Sequence, residues 1–515
     1  MSIARHTMQD APDTNAALLA MLEGYVADSN RLEQLPHEQR QRLLEACGRL
    51  LGASKGDLRQ ERRAARSQAA VDKRTREQEV LRAAALRRAR SENKVDNPAL
   101  PAHALPMRAA AERQSQLLES HLREAHVANV LSDPRNCYIC KEPYSQVHFF
   151  YDSMCASCGD FNFHKRGELA DLSGRVALVT GGRVKIGQEI VLKLLRCGAR
   201  VIVTTRFAAD AARRYAERED FAEYRDRLQI YGLDLRHTPS VEALCAHLLN
   251  SLNRLDFLIN NACQTVRRPA AFYKHLLADE RQASDSLSEP ARALLGAPDA
   301  NTVLDALTKT TGADNHVAAA EMSQFIVLDE DAEHDQTLFP KGTYDVDHQQ
   351  VDLRKINSWR LRMHQVSTPE LLEVQLVNAV APFVLNARLK PLMERVATAD
   401  KHVVNVSAVE GQFNRGTKTD KHPHTNMAKA ALNMMTRTSA PDYQRSGIFM
   451  NSVDTGWVTD EDPAEHALRK EQEGFQPPLD IVDGAARVCD PIISGHLTGE
   501  HVFGRFLKDY AKAAW

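Results

Sequence analysis

The alternation of apolar and polar positions changes along the chain, and between residues 175 and 206 it predicts a strand, a turn, a helix and a second strand. A short apolar run at 176–179 is typical of a strand that is buried on both faces. Residues 180–182, Thr-Gly-Gly, interrupt it. A second apolar run at 201–203 predicts the next strand. Between the two runs, apolar residues recur at helical spacing at Ile186, Ile190, Leu194 and Leu195.

Further apolar runs follow at intervals that fit alternating strands and helices. Runs at 228–235, 257–260, 402–407 and 448–453 predict strands, and a last strand is expected within 498–504. The pattern at 425–438 predicts a long helix. Strands that alternate with helices predict an α/β fold with a doubly wound parallel sheet, here preceded by an α-helical segment and a small metal-binding module.

The chain divides by pattern into three regions. Residues 1–130 are predicted to be helical and rich in arginine, 131–172 form the small module, and 173–515 form the α/β domain. An insertion at about 264–360 leaves from the carboxyl end of a strand, where open α/β sheets bind ligands. We expect helices within it, because long loops without regular structure are uncommon.

Composition and charge narrow the classes of function. The chain has 515 residues, 43% of them hydrophobic and 26% charged, with a net charge of −2, which is ordinary for a globular protein. Its start lacks the apolar core of a signal peptide, and the sequence has no apolar run long enough to span a bilayer, so a cytoplasmic, non-membrane protein is expected. The arginine-rich stretch at 55–94 has no interleaved aromatic residues, so nucleic acid is an unlikely partner. It is either a solvated helix or a helical contact for a protein partner.

Four of the nine cysteines form two close pairs in the region 131–172, which we call the four-cysteine module. Cys137 and Cys140 form one CxxC pair, and Cys155 and Cys158 form the other. Two such pairs predict a tetrahedral thiolate site for zinc. Four thiolates leave no open coordination position, so the predicted role of Zn²⁺ is structural. His148 and His164 are possible substitute ligands.

The glycine turn that feeds the helix at 186 is a candidate phosphate site. Backbone N–H groups at a helix start and the helix dipole both favour a bound phosphate. At these residues the chain resembles the short-chain dehydrogenase/reductase family, whose turn reads Thr-Gly-x-x-x-Gly-x-Gly. Thr180, Gly181 and Gly187 match, whereas Lys185 replaces the middle glycine, as a basic residue does in pteridine reductases. The resemblance covers about 173–515, interrupted by the insertion, and implies a Rossmann sheet.

The resemblance implies the cofactor and the residues that contact it. Lys185 and Arg206, the latter at the end of the second strand, favour NADP(H) over NAD(H). Asp234 matches the residue that contacts the adenine, and Cys263 stands where the family usually has glycine. The expected cofactor-binding residues are Thr180, Gly181, Arg183, Lys185, Ile186, Gly187, Arg206, Asp234, Leu235, Asn261, Ala262, Lys429 and Gly456.

The catalytic positions of the family are only partly retained. Lys429 and Asn378 match the lysine and the asparagine, but Thr425 occupies the tyrosine position and Ala408 the serine position. A threonine hydroxyl is a far weaker acid than a tyrosine, whose pKa is about 10. His424, beside Thr425, is the nearest candidate for a proton donor, although an exposed loop position is the more ordinary interpretation of it. Asp454 and Glu410, near the same sheet edge, are candidates for orienting a water or a polar substrate.

Two hypotheses follow from these matches and departures. In the first, the chain is an NADP(H)-dependent oxidoreductase that acts on an unknown carbonyl or alcohol through a non-standard proton relay. In the second, it is an inactive NADP(H)-binding scaffold or sensor that engages a macromolecular partner through its N-terminal region. The resemblance also implies a homo-oligomer that is formed through the helix at 425–438.

Overall fold

The computed structural model describes residues 12–91, 130–282, 286–296, 315–332, 337–345, 349–416 and 418–515. The chain divides into two compact units, Met1–Glu77 and Gln78–Trp515. Three prolines at 98, 101 and 106 predict a linker, and the sequence at 108–127 predicts a further helix, but both stretches lie outside the described residues. Among the described residues, the helices include none with the combined length and apolar character that crossing a membrane requires.

Two sheets are described. A small antiparallel pair joins β1 (Val130–Asn136) to β2 (Pro143–Gln146) in the four-cysteine module. The large sheet has eight strands in the order β10-β9-β8-β7-β6-β3-β4-β5, parallel except for the antiparallel pair of β9 and β10. Its strands are β3 (Val176–Thr180), β4 (Arg200–Thr205), β5 (Leu228–Gly232), β6 (Phe257–Asn260), β7 (Lys401–Ser407), β8 (Ile448–Asp454), β9 (Phe506–Lys508) and β10 (Ala511–Ala513).

The helices are numbered in chain order. They are α1 (Pro12–Ala27), α2 (Ser29–Glu33), α3 (His37–Arg82), α4 (Ala85–Ser91), α5 (Ala156–Gly167), α6 (Lys185–Arg196), α7 (Ala208–Ala216), α8 (Phe221–Tyr224), α9 (Thr238–Ser251), α10 (Ala270–Arg281), α11 (Glu289–Arg292), α12 (Asn315–Met322), α13 (Asp329–Ala332), α14 (Thr368–Gln375), α15 (Ala381–Glu394), α16 (Pro423–Arg445), α17 (Ala464–Gln472) and α18 (Ile481–Thr498). A π-helical turn, Leu376–Val380, joins α14 to α15. Short 3₁₀ turns lie at Arg225–Arg227, Ser358–Arg360, Met363–Gln365 and Val409–Gly411.

The core has a layer of helices on each face of the large sheet. Apolar residues of α6, α7 and α18 pack on one face, and those of α9, α15 and α16 pack on the other. Strands β3 and β7 are buried along their whole length, and the continuous apolar pattern of β3 predicts this burial. The order of connections reverses between β3 and β6, because the chain runs outward through β4 and β5 and then returns to the other side of β3. A cleft at the carboxyl ends of the strands is expected at such a reversal.

The parallel α/β sheet predicted from the sequence is confirmed, with corrections at several boundaries. The strand predicted at 228–235 ends at Gly232. The strand predicted within 498–504 is wrong: Thr498 ends α18, Gly499 and Gly504 take positive φ angles of 76° and 63°, and β9 starts only at Phe506. Glycines at positive φ terminate helices and form turns, which breaks the strand there.

The helix predicted at 425–438 is longer than expected and continues through Pro441 to Arg445. Ala440 and Tyr443 of its last turns are buried in the core, so tertiary packing outweighs the helix-breaking tendency of the proline. The helices expected within the insertion are present as α10 to α13 in its described parts.

Candidate functional site

An open cleft of about 560 Å³ lies at the carboxyl ends of β3, β4 and β5, at the point where the order of strands reverses. Its walls come from the loops after β3, β5 and β6, from the insertion, and from the residues that precede and begin α17. The sheet therefore brings together residues that are three hundred positions apart in the chain, from Gly181 to Ile481.

The loop after β3 has the backbone shape of a ligand-binding turn. Gly181 has a φ of 70°, and a Cβ atom on Gly187 would overlap the carbonyl oxygen of Gly181, so both positions require glycine. Lys185, the first residue of α6, also takes a positive φ, 54°, although it carries a side chain. Val184, the N-cap residue of α6, makes no side-chain capping hydrogen bond, and a helix start that faces a cleft favours a bound anion.

Arg206 follows the last residue of β4 and faces the cleft. Its guanidinium carbon lies 4.4 Å from the ring centroid of Tyr273 and 5.6 Å from that of Phe207. Among the described residues it has no carboxylate within ion-pair distance. Burial raises the pKa of the Tyr273 phenol, but the charge and hydrogen bond of Arg206, together with the charges of Arg268 and Arg183, outweigh burial and leave this pKa below its usual value. This corner of the cleft is therefore electropositive.

Arg183, predicted to contact a cofactor, also lines the cleft, but its charge is already paired. Its Nη1 lies 2.6 Å from Oδ2 of Asp210 in α7. Burial raises the pKa of Asp210, and the guanidinium groups of Arg183 and Arg214 outweigh that effect and hold the pKa below its usual range. Arg183 therefore contributes less net positive charge to the cleft than Arg206 does.

Asp234 and Leu235 lie where the sequence predicts, at the cleft after β5. The Asp234 carboxylate accepts hydrogen bonds from Nη2 of Arg236, at 2.6 Å, and from the backbone N–H of Arg236, at 2.9 Å. Nη1 of Arg236 donates in turn to Glu373 in α14, at 3.0 Å. The loop after β5 is thus held to α14.

Thr180, Asn261 and Ala262 join the loop after β3 to the loop after β6. The Thr180 Oγ1 accepts hydrogen bonds from the N–H groups of Asn261 and Ala262, both at 3.0 Å. The Asn261 amide donates to the carbonyl oxygens of Thr180, at 3.0 Å, and Gly181, at 3.2 Å. Asn261 and Ala262 line the cleft, whereas Thr180 is buried beneath it.

The structure places the predicted catalytic residues Asn378 and Lys429 inside the protein. Asn378 lies in the π-helical turn and is 1% exposed, and its amide exchanges two hydrogen bonds with the backbone of Gln264, at 2.7 and 3.1 Å. Lys429 is 5% exposed, and its ammonium group donates to the carbonyl oxygen of Val406 in β7, at 2.7 Å. Gln264 itself lines the cleft, so Asn378 reaches the cleft through that residue.

The interpretation of His424 as an exposed loop residue is wrong. His424 and Thr425 belong to the first turn of α16 and are 1% and 3% exposed. Nε2 of His424 lies 3.4 Å from Oε1 of Glu370, itself buried in α14. Burial raises the pKa of Glu370, but its contacts with His424 and Ser358 outweigh burial and hold the pKa below its usual value. His422 is also buried, stacked on Trp359 with ring centroids 3.9 Å apart.

Gly456 follows β8 at a φ of 77° and lies beside the four-cysteine module, next to Tyr138. Asp454, at the end of β8, is buried, and burial raises its pKa to about 6. Its Oδ1 accepts a hydrogen bond from the N–H of Val409, at 3.2 Å. Glu410 pairs with Arg415, at 3.1 Å.

Two segments of the chain match models of known protein families. The family model described as short chain dehydrogenase matches residues 175–281, and the model described as Enoyl-(Acyl carrier protein) reductase matches residues 356–476. The chain belongs to the short-chain dehydrogenase/reductase family. The unmatched stretch between the two segments falls within the insertion, and the N-terminal region and the four-cysteine module precede both.

Individual proteins that are similar to this chain differ in how much of it they match. Uncharacterized protein R665 of Acanthamoeba polyphaga mimivirus is 33% identical over 374 residues, which are 70% of this chain and 71% of that protein. The rhamnolipids biosynthesis 3-oxoacyl-(acyl-carrier-protein) reductase of Pseudomonas aeruginosa is 42% identical over 98 residues, 18% of this chain and 34% of its own length. The solved Pseudomonas aeruginosa RhlG/NADP active-site complex aligns with 66% of this chain and 95% of its own, at 20% identity and a TM-score of 0.41.

The four-cysteine module has the geometry of a metal site, although it lies outside the family match. The Sγ atoms of Cys137, Cys140, Cys155 and Cys158 all lie within 4.8 Å of one another, and those of Cys140 and Cys155 are 3.8 Å apart. A tetrahedron with Zn–S bonds of about 2.3 Å has sulfur–sulfur edges of about 3.8 Å. His148 is used differently, because its Nδ1 accepts hydrogen bonds from the N–H groups of Phe150 and Tyr151.

Sequence reasoning missed two residues of the cleft that belong to no family motif. Tyr273 lies in α10 of the insertion, where only its aromatic character and its position after the β6 loop single it out. Gln264, at the first position of the insertion, forms cleft surface and holds Asn378. Contacts such as these depend on tertiary structure, and the local sequence pattern carries little signal for them.

Proposed function

We propose that the chain is an NADP(H)-binding oxidoreductase that acts on a carbonyl or alcohol group. The observation that carries this proposal is Arg206, which faces the cleft at the end of β4, stacks on Tyr273 and has no carboxylate partner among the described residues. A guanidinium in such a position is matched to a phosphate, which it binds through paired hydrogen bonds. The 2′-phosphate distinguishes NADP(H) from NAD(H).

The residues of the cleft fit this dinucleotide in a definite order. The first N–H groups of α6 and the side chain of Lys185 would hold the diphosphate, Arg206 and Tyr273 the 2′-phosphate, and Asp234 the adenine. Asn261 and Ala262 keep the backbone of the two loops close together beneath the cofactor. The bound nicotinamide supplies the hydride chemistry, and the protein supplies binding and orientation.

A comparison of two arginines at opposite ends of β4 tests this proposal. Arg206→Gln should weaken NADPH binding by roughly tenfold or more while leaving NADH binding nearly unchanged, because a hydrogen bond to a charged group contributes about 1.5–3 kcal/mol. Arg200→Gln is the matched control, since Arg200 begins β4 and donates to Gln229 at 3.2 Å. Fluorescence titration with both cofactors gives the affinities. Equal loss for NADPH and NADH in Arg206→Gln would contradict the assignment.

In this proposal the proton relay uses Lys429 and the residues around it. Lys429 holds the ribose and polarises a water, and Thr425 or His424 passes the proton on. The Thr425 hydroxyl, buried in the first turn of α16, has no hydrogen-bond partner among the described residues and remains available for this role. Lys429→Ala should abolish turnover while largely preserving NADPH binding.

A second candidate function is favoured by the burial of the relay positions. Asn378, His424, Thr425 and Lys429 are each at most 5% exposed, and Asn378 and Lys429 are bonded to backbone groups. Such an arrangement suits a protein that binds NADP(H) as a structural ligand or a signal and engages a macromolecular partner through its N-terminal region. Assay against a broad panel of carbonyl and pterin substrates separates the two functions: NADPH oxidation supports the enzyme, and binding without oxidation supports the scaffold.

We further propose that the four-cysteine module binds one structural Zn²⁺. The four cysteines are free of disulfides, and their sulfur atoms cluster as a tetrahedral ion requires. Metal analysis of the purified protein should give one zinc per chain. Cys140→Ser should lower that ratio, with a loss of stability, because the ion crosslinks two separate segments of the module.

A further inference from the structure

The chain between β8 and α18 forms one wall of the cleft. Thr459, Asp460, Glu461 and Asp462 line the cleft directly, as do the first residues of α17 and Ile481 at the start of α18. We call residues 456–481 the cleft wall. Its two ends both contact the four-cysteine module, which family resemblance would not have indicated.

The first end of the cleft wall rests on Tyr138. This residue lies between Cys137 and Cys140, and its hydroxyl oxygen accepts a hydrogen bond from the N–H of Trp457, at 3.0 Å. A Cβ atom on Gly456 would lie 3.4 Å from the same oxygen, so the Tyr138 hydroxyl lies against the backbone of the cleft wall here. A metal ion held by the two cysteines would fix the loop that carries Tyr138.

The second end of the cleft wall is held by α5, which begins after Cys155 and contains Cys158. Arg166 of α5 is fully buried and forms two parallel hydrogen bonds with Asp480, at 2.6 and 2.9 Å. Asp480 caps α18. The hydroxyl of Tyr151, from the loop between the two cysteine pairs, donates to Asp483 at 2.6 Å. A protein loses much of its stability when one partner of a buried charge pair is displaced.

Helix α4 also donates hydrogen bonds to the backbone of the cleft wall. Arg90 donates to the carbonyl oxygens of Leu479, at 2.5 Å, and Val458, at 3.5 Å. Arg87 donates to the carbonyl oxygen of Gly474, at 2.8 Å, and pairs with Asp152 of the four-cysteine module, at 2.5 Å. The four-cysteine module and α4 therefore contact the cleft wall at several points along its length.

The same apolar cluster reaches the glycine turn. Cys137, Phe150 and Tyr151 of the module pack with Val458 and Leu479 of the cleft wall in a single buried cluster. Ile186, in the first turn of α6, packs against that cluster and also lines the cleft. The packing of the module thus extends from the cysteines to the helix start that faces the dinucleotide.

We propose that metal binding by the four cysteines is coupled to dinucleotide binding, because the four-cysteine module positions the cleft wall and the first turn of α6. This inference rests on the proposed function. Tyr138 is the positioning residue at the centre of the coupling, since it joins the cysteine loop to the backbone at Trp457. Coupling of this kind is reciprocal, so bound NADPH should also slow the loss of the metal.

The test compares two tyrosines of the module in the full chain. Tyr138→Phe keeps the aromatic ring and all four cysteines but removes the oxygen that accepts from Trp457. Tyr144→Phe is the matched control, because its hydroxyl also makes one buried hydrogen bond, to the carbonyl oxygen of Asp152 at 2.6 Å, within the module. The measurements are zinc content, NADPH affinity by fluorescence titration, and hydrogen exchange of residues 456–481 without dinucleotide.

The expected result is that both variants keep one zinc per chain and only Tyr138→Phe changes the cleft. Its NADPH affinity should fall about fivefold, at the lower end of typical coupling, and amide exchange in 457–462 should accelerate. Removing zinc from the full chain with a chelator should have the same effects, larger in size, while circular dichroism shows that the sheet persists.

Wild-type NADPH affinity and exchange in Tyr138→Phe would overturn the coupling. Equal changes in both tyrosine variants would also overturn it, because they would indicate general loosening of the module. If the wild-type chain binds no NADPH, the proposed function fails, and the exchange measurement alone decides whether the module positions the cleft wall.

Discussion

At the scale of single residues, two residues of the cleft have an arrangement that lowers the stability of the folded protein unless a ligand is bound. Lys185 takes a left-handed backbone conformation at the mouth of the cleft, where the family has glycine. Arg206 keeps its charge without a carboxylate partner among the described residues. Strained or unpaired groups cost stability. Where a folded protein retains them, they often mark a binding site.

Replacement of Lys185 separates the stability and binding contributions of this residue. Lys185→Gly should raise the free energy of unfolding by about 0.5 kcal/mol, because relief of a left-handed strain of roughly 1–2 kcal/mol is partly offset by the flexibility of glycine. The same change should weaken NADPH binding, since the ammonium group is lost. Urea unfolding and fluorescence titration measure the two effects. A variant that is less stable than the wild type would show that the strain at Lys185 is relieved by other contacts.

A buried histidine at the opposite edge of the sheet predicts sensitivity to acid. His402, at the start of β7, has no exposed surface, and its Nε2 lies 3.0 Å from Nδ1 of His501. Burial lowers its pKa well below 6.5, and the neighbouring His501 and His496 lower it further. Around it lie Phe257 and Phe449, and Asp400 lies 3.8 Å from Nε2 of His496.

Because the pKa of His402 is depressed in the folded state, the unfolded chain binds the proton more readily. The contribution of this residue to stability is therefore complete above pH 6.5 and is lost as the pH falls below that value. We expect the free energy of unfolding to drop by about 1.4 kcal/mol per pH unit from this group. His402→Leu should flatten that slope in urea titrations between pH 6.5 and 5. An unchanged slope would assign the acid sensitivity to other groups.

At the scale of elements, the π-helical turn between α14 and α15 decides where the family asparagine points. The extra residue of a π turn rotates the side chains that follow it, and such turns are frequent at functional sites. Here the turn directs Asn378 to the backbone of Gln264, so that the helix holds the loop after β6 and the start of the insertion.

Removal of this link should cost stability and loosen the cleft. Asn378→Leu, close in shape, leaves the buried N–H and carbonyl groups of Gln264 without partners, so we expect a loss of about 2–3 kcal/mol in the free energy of unfolding. Leu372→Ala, on the exposed face of α14, is the control and should cost under about 0.5 kcal/mol. Thermal unfolding measures both. Equal losses would mean that the Gln264 backbone finds other partners in the variant.

At the scale of the whole molecule, the compact unit Gln78–Trp515 holds the four-cysteine module and the Rossmann sheet together. The module packs on the wall of the cleft, so the added cysteine motif is part of the binding site's support. The long helix α16 spans this unit with one face in the core and exposes Met427 and Met434 on its surface, each at 56%. Two methionines seven residues apart lie on the same face of a helix.

That surface is the predicted contact between subunits. The double change Met427→Glu and Met434→Glu should lower the molar mass in solution to that of one chain, because two charges would have to be buried in the interface. Leu497→Glu, on an exposed position of α18, serves as the control. Light scattering after size-exclusion chromatography gives the mass. An oligomer that persists in the double variant, or a wild type that is already monomeric, contradicts this prediction.

Much of the fold could be predicted because the signals are local. The apolar runs of β3, β6, β7 and β8 mark buried parallel strands, and each observed strand lies within about one residue of the prediction. The prediction was wrong where the backbone conformation of a residue depends on its tertiary surroundings. Gly499 and Gly504 are examples, because their positive φ angles break the expected strand. Helix α16 likewise continues beyond its predicted end and through Pro441, because the packing of its last turns outweighs the local tendency of proline to end a helix.

The sequence by itself determined the α/β fold, the family, the glycine turn with Lys185 and Arg206, and the two cysteine pairs, because each is written in short-range spacing. Only the tertiary structure decided which side chains face the cleft. It placed Tyr273 beside Arg206, turned Asn378 and Lys429 toward backbone groups, buried His424 against Glu370, and set Tyr138 beneath Trp457. The physical reason is that burial and pairing depend on residues far away in the chain, which meet only when the sheet and its helices have packed.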